Sequence, residues 1–275
     1  MKLYKKTAYQ CSTIVTKRYS TSFNLAIKTL DKSLHDYICG IYGFVRLADE
    51  VVDTFHDYDK ANLLAKLKED TYSAIDQGIS TNLILHAFAD VVRTYNLDRD
   101  LIDSFLHSME MDLYEDKYAQ NQFEEYVYGS AEVVGLMCLK VFCGNNVELY
   151  NQIKEPARKL GAAFQKVNFL RDVQSDFEER GRVYFPGVDW KTFNNLDKSL
   201  IEEQIEDDFI QAKLGIKLLP KSSRSGVLLA YRYYYRLFNK IRKTDAQHIM
   251  QTRIRVANAE KLSMLLRIRL KKVIS

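Results

Sequence analysis

Apolar residues recur at helical spacing through almost the whole chain, and strand-like alternation is scarce. Breaks in this periodicity are predicted near residues 31–33, 76–78, 143–146, 180–189 and 221–226, where Gly, Pro, Asn, Asp and Ser collect. Short connections favour antiparallel packing of neighbouring helices. The pattern therefore predicts an all-α fold, a helical bundle.

Polar side chains interrupt two of these apolar helices as single stripes. One stripe has the spacing i, i+4, i+7, i+11, and the other has i, i+3, i+7, i+11. Their members are Tyr42, Arg46, Asp49 and Asp53 in the first, and Gln165, Asn168, Asp172 and Asp176 in the second. A polar stripe within an apolar helix indicates either a polar cavity inside the bundle or the solvated face of a surface helix.

Each stripe contains an Asp-x-x-x-Asp pair, whose two carboxylates share one helix face and repel each other. Divalent cations with oxygen ligands would compensate this repulsion, and Mg²⁺ commonly combines one or two carboxylates with substrate phosphates. Spacing alone is a weak signal, because Asp112 and Asp116 show it too. That third pair lacks neighbouring Arg and Asn residues, so we expect it to lie outside the site.

The composition agrees with one helical domain over residues 1–275. The chain has only 3 Pro and 11 Gly, with no linker-like tract and no fixed repeat. Its 4 cysteines have no metal-ligand spacing and are typical of a reduced, cytoplasmic protein. Neither a secretory signal nor a transmembrane helix is expected, since the best apolar run, 133–139, ends at Lys140.

The net charge of the chain and its distribution indicate the kind of partner. A net charge of +4 does not indicate nucleic acid. The last segment nevertheless interleaves Leu262, Leu265, Leu266, Ile268 and Leu270 with basic residues. Such a segment either touches an anionic membrane peripherally, on the inner surface, or packs its leucines inward as a terminal helix.

Four segments resemble the squalene and phytoene synthases. Residues 42–53 resemble the first aspartate-rich motif of that family. Residues 168–176 resemble the second, and 180–186 resemble the flap that follows it. Residues 19–23 resemble the N-terminal Ser-x-Ser-Phe element. The resemblance extends over about residues 8–265, and the Gly-Arg-x-Tyr-x-Pro ending is most similar to bacterial phytoene synthases.

The resemblance implies an isoprenoid-synthase-type bundle around a central cavity. It implies Mg²⁺ or Mn²⁺ on Asp49, Asp53, Asp172, Asp176 and Asn168, with Tyr128 and Arg171 also catalytic. The substrate-binding residues would be Ser20, Ser22, Phe23, Tyr42, Arg46, Tyr126, Gln165, Asn168, Arg182, Tyr184, Tyr234 and Arg253. Phe23, Tyr42, Phe44 and Tyr126 are the candidates for aromatic faces toward a carbocation.

The implied reaction joins two prenyl diphosphates head to head through a cyclopropylcarbinyl diphosphate. Geranylgeranyl diphosphate would give phytoene, for carotenoid biosynthesis, without NADPH. Dehydrosqualene and squalene synthases, which use farnesyl diphosphate, remain alternatives. Terpene cyclases and chain elongators typically carry Asp-Asp-x-x-Asp, whereas this chain has Glu50 and Val173. A non-catalytic scaffold of the same fold is the other alternative, although all four aspartates are present.

The central helix departs from the family pattern. The family often has Val-Ala-Gly followed by Val-Gly, whereas this chain has Ser130 and Glu132 in place of the apolar residue and the glycine. Because Glu132 lies in an apolar stretch, we expect it to have a partner or to face solvent.

Overall fold

The protein is a bundle of α-helices, seen here in a computed structural model. Residues 1–115, 118–178, 182 and 184–274 are described, with side chains for all of these except 177–178 and 269–274. Within those ranges there is no β-strand. The helices are α1 (Lys2–Tyr19), α2 (Thr21–Ile27), α3 (Lys32–Asp53), α4 (Lys60–Gln77), α5 (Leu83–Tyr95), α6 (Arg99–Tyr114), α7 (Gln120–Val127), α8 (Val133–Cys143), α9 (Val147–Glu178), α10 (Asn195–Ile216), α11 (Lys221–Arg242), α12 (Ala246–Ile249) and α13 (Asn258–Ile274). The all-α prediction is confirmed.

Local sequence sets the helix ends. The side chains of Asp31, Asn82 and Asn194 accept hydrogen bonds from backbone N–H groups in the first turns of α3, α5 and α10. Gly78 ends α4 in the left-handed region, with φ 73°. The breaks predicted at 31–33, 76–78 and 143–146 therefore coincide with helix ends, and 180–189 lies between α9 and α10.

The break predicted at 221–226 is wrong. Helix α11 begins at Lys221, directly after Pro220, so the true break lies just before the predicted one. Ser222 and Ser223 belong to the first turn of α11, where their short polar side chains are tolerated. Gly226 lies inside the helix, where an added Cβ would be 2.3 Å from Leu30 Cδ2. This glycine permits close packing and does not end the helix.

Two apolar clusters form the core, one on each side of a central cavity. The first joins α3, α5, α6 and α8 around Phe44, whose ring stacks on Phe88 with centroids 3.9 Å apart. The second joins α9, α10 and α11 around Phe209 and Phe238. Helices α3 and α9 thus each have one face in a core cluster and one face on the cavity.

A π-helical turn, Tyr128–Glu132, connects α7 to α8. An added Cβ at Gly161 of α9 would be 2.6 Å from the carbonyl oxygen of Ala131, so α9 passes very close to this turn. Single π turns inside α-helices are frequent at functional sites. This one places Ser130 on the cavity wall. Glu132 pairs with Arg158, with 2.7 Å between Oε2 and Nε, so the expected partner is present.

One helical stretch, Gln120–Cys143, is long and apolar enough to cross a membrane by length and composition alone, contrary to the sequence expectation. Half of its most apolar 18-residue window is buried within the protein. It packs on α3, α6 and α9 and carries the polar π turn. The stretch therefore has the contacts of a core helix.

Candidate active site

One cavity of about 630 Å³ lies between the two apolar clusters, and it is polar at one part of its wall. Of the residues that the sequence assigned to a site, all but Tyr128 and Phe44 line it. The cavity-lining members are Ser20, Ser22, Phe23, Tyr42, Arg46, Asp49, Asp53, Tyr126, Gln165, Asn168, Arg171, Asp172, Asp176, Arg182, Tyr184, Tyr234 and Arg253. Both polar stripes therefore face the cavity, and neither is a solvated outer face.

The first carboxylate pair lies on the last two turns of α3. Burial raises the pKa of Asp49 to about 7, with the negative charges of Asp53 and Asp112 adding to the rise and Arg46 opposing it. Arg46 Nη1 lies 3.8 Å from Asp49, and its Nη2 pairs with Glu50. Burial and neighbouring negative charge thus both disfavour a bare carboxylate at this position, and a bound divalent cation would relieve the repulsion.

The second carboxylate pair lies on α9 and already has cationic neighbours. Arg253 Nε is 2.7 Å from Asp172 Oδ1. Arg171 Nε donates to the same oxygen at 2.8 Å, and its Nη2 donates to the other oxygen. Two guanidinium groups from different parts of the chain therefore converge on Asp172. Asp176 is buried one turn further along the same helix.

An amide row continues the second stripe into the cavity. Gln165 Nε2 donates to Ser130 Oγ at 3.2 Å, and Asn168 Nδ2 approaches Gln165 Oε1 at 3.4 Å. Ser130 in turn donates to the carbonyl oxygen of Tyr126 at 2.7 Å. Asn168 Oδ1 is buried and has no hydrogen-bond partner among the described residues. A buried amide oxygen that lacks a hydrogen-bond partner is a suitable ligand for a hard cation.

Arg182 connects the flap to the first carboxylate pair. Its Nη1 lies 3.2 Å from Asp53 Oδ1 and 3.4 Å from the Tyr184 hydroxyl. Its backbone N–H donates to the carbonyl oxygen of Asp176 at 2.9 Å. Arg182 thus contacts residues of both motifs. The other flap residues considered, Arg180, Gly181 and Val183, lie outside the described residues, as does Asp116.

Asp112 belongs to the site, so the expectation that its pair lies outside is wrong. It lines the cavity, and its Oδ1 is 3.4 Å from Arg182 Nη1. Sequence reasoning missed this because the arginine lies on the distant flap. The contact with Tyr126, whose hydroxyl donates to Asp112 Oδ2 at 2.9 Å, likewise depends on the tertiary fold.

Two aromatic residues predicted for the site do not line the cavity. Tyr128 is not among the cavity-lining residues; it packs against the first core cluster, and the Arg158 guanidinium lies 5.2 Å from its ring centroid. The π turn begins at this residue and changes the direction of the side chains that follow. Phe44 is fully buried against Phe88 and does not face the cavity.

The rest of the cavity wall is apolar and aromatic. Phe164 and Tyr234 stack with ring centroids 3.9 Å apart, and Phe23 lies 5.9 Å from Tyr234 and 6.0 Å from Tyr42. The Ser20 side chain caps α2 by accepting from the Phe23 N–H at 3.1 Å, which fixes the chain beside this group. Aromatic faces next to an acidic, metal-compatible region suit a substrate with a diphosphate head and a hydrocarbon tail.

The acidic residues do not form a metal cage by themselves. Across the described part of the chain, no three His, Cys, Asp or Glu side chains are grouped closely enough to hold an ion. Each pair offers two carboxylates, and Asn168 adds an amide oxygen. This donor set fits a cation that completes its shell with water and substrate phosphate, as Mg²⁺ does.

Comparison with known proteins agrees with the site. The chain is 28% identical over 282 residues to a 15-cis-phytoene synthase from Synechocystis, covering 93% of this chain and 82% of the relative. It is 25% identical over 258 residues to a 4,4'-diapophytoene synthase from Staphylococcus haemolyticus, covering 86% and 88%. These two names stand for different prenyl chain lengths.

Solved structures share the fold. A dehydrosqualene synthase in complex with a ligand matches with a TM-score of 0.84 at 23% identity, over 98% of both chains. A squalene synthase from Alicyclobacillus acidocaldarius matches with a TM-score of 0.76 at 18% identity, over 88% of this chain and 95% of the other. Residues 16–260 match the family described as squalene/phytoene synthase. The chain belongs to this family of enzymes, which transfer prenyl groups by head-to-head condensation.

Proposed function

We propose that the chain condenses two molecules of geranylgeranyl diphosphate, through a cyclopropylcarbinyl diphosphate, to phytoene. The observation that carries the proposal is the single cavity with two Asp pairs, several arginines and an aromatic wall. A prenyl diphosphate leaves only when its developing negative charge is neutralised, and the remaining allylic cation survives only away from water. The two parts of this cavity meet those two requirements.

Asp49, Asp53, Asp172, Asp176 and Asn168 are the residues that would hold divalent cations. Such cations, Mg²⁺ or Mn²⁺, supply Lewis-acid neutralisation of the leaving diphosphate. Arg46, Arg171, Arg182 and Arg253 reach the same part of the cavity, where their guanidinium groups can donate to phosphate oxygens.

The aromatic group acts on the hydrocarbon. The faces of Phe23, Phe164 and Tyr234 exclude water and stabilise positive charge on the allylic carbons. The first ionisation releases one diphosphate, and the allylic cation joins the second prenyl chain with loss of a proton, so the cyclopropyl product keeps the other diphosphate. The second ionisation releases that diphosphate, and the rearranged cation loses a proton to give the linear polyene. Since no hydride is added, NADPH is not required.

Two alternatives share this chemistry. A dehydrosqualene synthase would use farnesyl diphosphate, and the diapophytoene synthase name of one relative favours this as the second candidate. A squalene synthase would also need NADPH. Product analysis distinguishes them: the protein is incubated with farnesyl or geranylgeranyl diphosphate, each with and without NADPH, in Mg²⁺. We expect phytoene from geranylgeranyl diphosphate in both buffers. Product only from farnesyl diphosphate, or only with NADPH, would contradict the assignment.

A third candidate is a non-catalytic scaffold that keeps the fold. Burial and the neighbouring Asp53 raise the pKa of Asp49, so this pair of carboxyls destabilises the metal-free fold. The pair favours an enzyme, because a destabilising charge group has no role in a scaffold. Release of pyrophosphate that stops on chelation of the metal separates the two. No release from either prenyl diphosphate would favour the scaffold.

We also propose that the protein works at the cytoplasmic surface of a membrane, docked through α13. The helix buries Leu265 and Ile268 but leaves Leu262 and Leu266 about half exposed. Lys261, on the same helix, lines the cavity. Exposed leucines beside basic residues suit an anionic lipid surface and place the exit for an apolar product near it. Flotation with anionic vesicles should carry the wild type upward and leave a Leu262→Ser/Leu266→Ser variant behind; equal behaviour would contradict the proposal.

A further inference from the structure

Asp112 is a buried carboxylate that neither aspartate-rich motif contains. It lies on α6, only 8% exposed, and it contacts Arg182 twice. Its carboxylate Oδ1 is 3.4 Å from Arg182 Nη1, and its backbone carbonyl oxygen accepts from Arg182 Nη2 at 2.6 Å. Contact at two points fixes the position and the tilt of the guanidinium plane.

Two tyrosines also contact the Asp112 carboxylate. The Tyr126 hydroxyl donates to Oδ2 at 2.9 Å, and the Tyr118 hydroxyl approaches Oδ1 at 3.4 Å. Both rings pack on Tyr184, with centroids 5.3 Å and 5.6 Å from it. Asp112 is therefore supported by a packed aromatic group, and its carboxylate has little freedom to turn.

Arg182 also reaches Asp53 in the first metal-compatible pair, at 3.2 Å. The arginine is itself 8% exposed, and a buried guanidinium that loses its counter-charge is strongly disfavoured. Binding of a cation by Asp53 weakens the attraction between that carboxylate and Arg182. Asp112 remains as a fixed counter-charge that keeps the arginine in the cavity wall.

We propose that Asp112 is a positioning residue for Arg182. It holds the guanidinium in place so that Nη1 can pass from Asp53 to a diphosphate oxygen when substrate and cation bind. Asp112 itself contacts neither of them. The inference rests on the proposed function, because the anion that Arg182 would bind is the diphosphate of the proposed substrate.

The test is a double-mutant cycle on pyrophosphate binding, measured by calorimetry with inorganic pyrophosphate and Mg²⁺. Asp112→Asn keeps the size of the side chain and removes its charge, and Arg182→Ala removes the guanidinium. We expect each single variant to weaken binding about ten- to a hundredfold, the range of one charge-assisted hydrogen bond. Because the two residues act through one contact, the double variant should be no weaker than Arg182→Ala within about twofold.

Asp100→Asn is the matched control, since this aspartate is exposed on the same helix. It should leave binding unchanged. An Asp112→Asn effect that matches the control, or that multiplies with Arg182→Ala, would overturn the inference. Should Asp112→Asn fail to fold by thermal unfolding, Tyr126→Phe replaces it in the cycle. That variant removes one hydroxyl donor to Asp112 and should weaken pyrophosphate binding less. When it is combined with Arg182→Ala, it should cause no further loss of affinity.

The same measurements separate this inference from the proposed function. A non-additive cycle in a protein that makes no hydrocarbon would leave the positioning role in place and remove the proposed reaction. Hydrocarbon formation with a multiplicative cycle would keep the proposed reaction and remove the positioning role. Absence of any pyrophosphate binding by the wild type would overturn both.

Discussion

Arg253 reaches from the segment after α12 to Asp172 on α9, with 2.7 Å between its Nε and the carboxylate Oδ1. Arg171 binds the same carboxylate from the neighbouring position on the helix. The second aspartate pair is therefore neutralised in part by arginines, while the first leaves Asp49 with a raised pKa. An arginine that binds a metal-compatible carboxylate can oppose a metal ion and favour a diphosphate at the same time.

This relationship predicts effects of opposite sign for Arg253→Ala. Removing the guanidinium should increase the affinity for Mn²⁺ alone about three- to tenfold, because Asp172 loses a competing cation. It should also raise the KM for prenyl diphosphate, because a phosphate donor is lost. Paramagnetic titration with Mn²⁺ and steady-state kinetics measure the two effects. Arg255→Ala, an exposed residue two positions along, should change neither; a fall in both affinities would contradict the competition.

The raised pKa of Asp49 predicts a pH-dependent stability in metal-free protein. Its ordinary pKa is 3.8 and its folded pKa is about 7, so the folded state holds a proton that the unfolded state has released between these values. The contribution of this group to stability therefore falls as the pH rises from about 4 to 7. Asp49→Asn removes the charge and should stabilise the protein in EDTA at pH 8, while abolishing turnover.

Thermal unfolding at pH 5 and pH 8 measures this effect. The difference in Tm between Asp49→Asn and wild type should be larger at pH 8, about 2–4 °C for each ~1 kcal/mol. Asp57→Asn is the control, since Asp57 is exposed beyond the end of α3. A lower Tm for Asp49→Asn at pH 8 would show that the carboxylate stabilises the fold.

Ser130 should influence the metal site through the amides of α9. Its hydroxyl accepts from Gln165, which directs Gln165 Oε1 toward Asn168, while the buried Asn168 Oδ1 has no hydrogen-bond partner among the described residues. Ser130→Ala frees Gln165 to rotate, so we expect Mn²⁺ affinity in the presence of pyrophosphate to fall about tenfold, the lower end of the range for residues that orient metal ligands. Ser73→Ala, on the exposed face of α4, is the control. Unchanged affinity in Ser130→Ala would remove Ser130 from the site.

Substitution of Phe44 should mainly lower stability, whereas substitution of Phe164 should mainly lower catalysis. Phe44→Ala empties the core beside Phe88 and should lower the free energy of unfolding by about 3–5 kcal/mol. Phe164 is only partly buried, and it stacks on Tyr234 in the cavity wall. Phe164→Ala should cost less stability and reduce hydrocarbon yield more per folded molecule. Denaturant unfolding and product analysis measure the two quantities, and the reverse order would contradict the placement of these rings.

Much of this site could be predicted from the sequence, because each aspartate-rich motif lies on a single helix. The spacing of Asp49 and Asp53, and of Asp172 and Asp176, fixes a common face whatever the rest of the fold does. The role of Asp112 could not be read in this way, because its arginine is contributed by a flap seventy positions away. Tyr128 was assigned from the family resemblance alone, and its packing against the first core cluster, at the start of a π turn, depends on the tertiary fold.

The most direct test of the proposed reaction is the ratio of pyrophosphate released to hydrocarbon formed from geranylgeranyl diphosphate, in Mg²⁺ and without NADPH. Head-to-head condensation predicts two pyrophosphates for each phytoene, no release in EDTA, and loss of both products in Asp172→Asn. Asp207→Asn, at an exposed aspartate on α10, should keep the wild-type ratio. Release of pyrophosphate with only a prenyl alcohol, or release that continues in Asp172→Asn, would contradict the account.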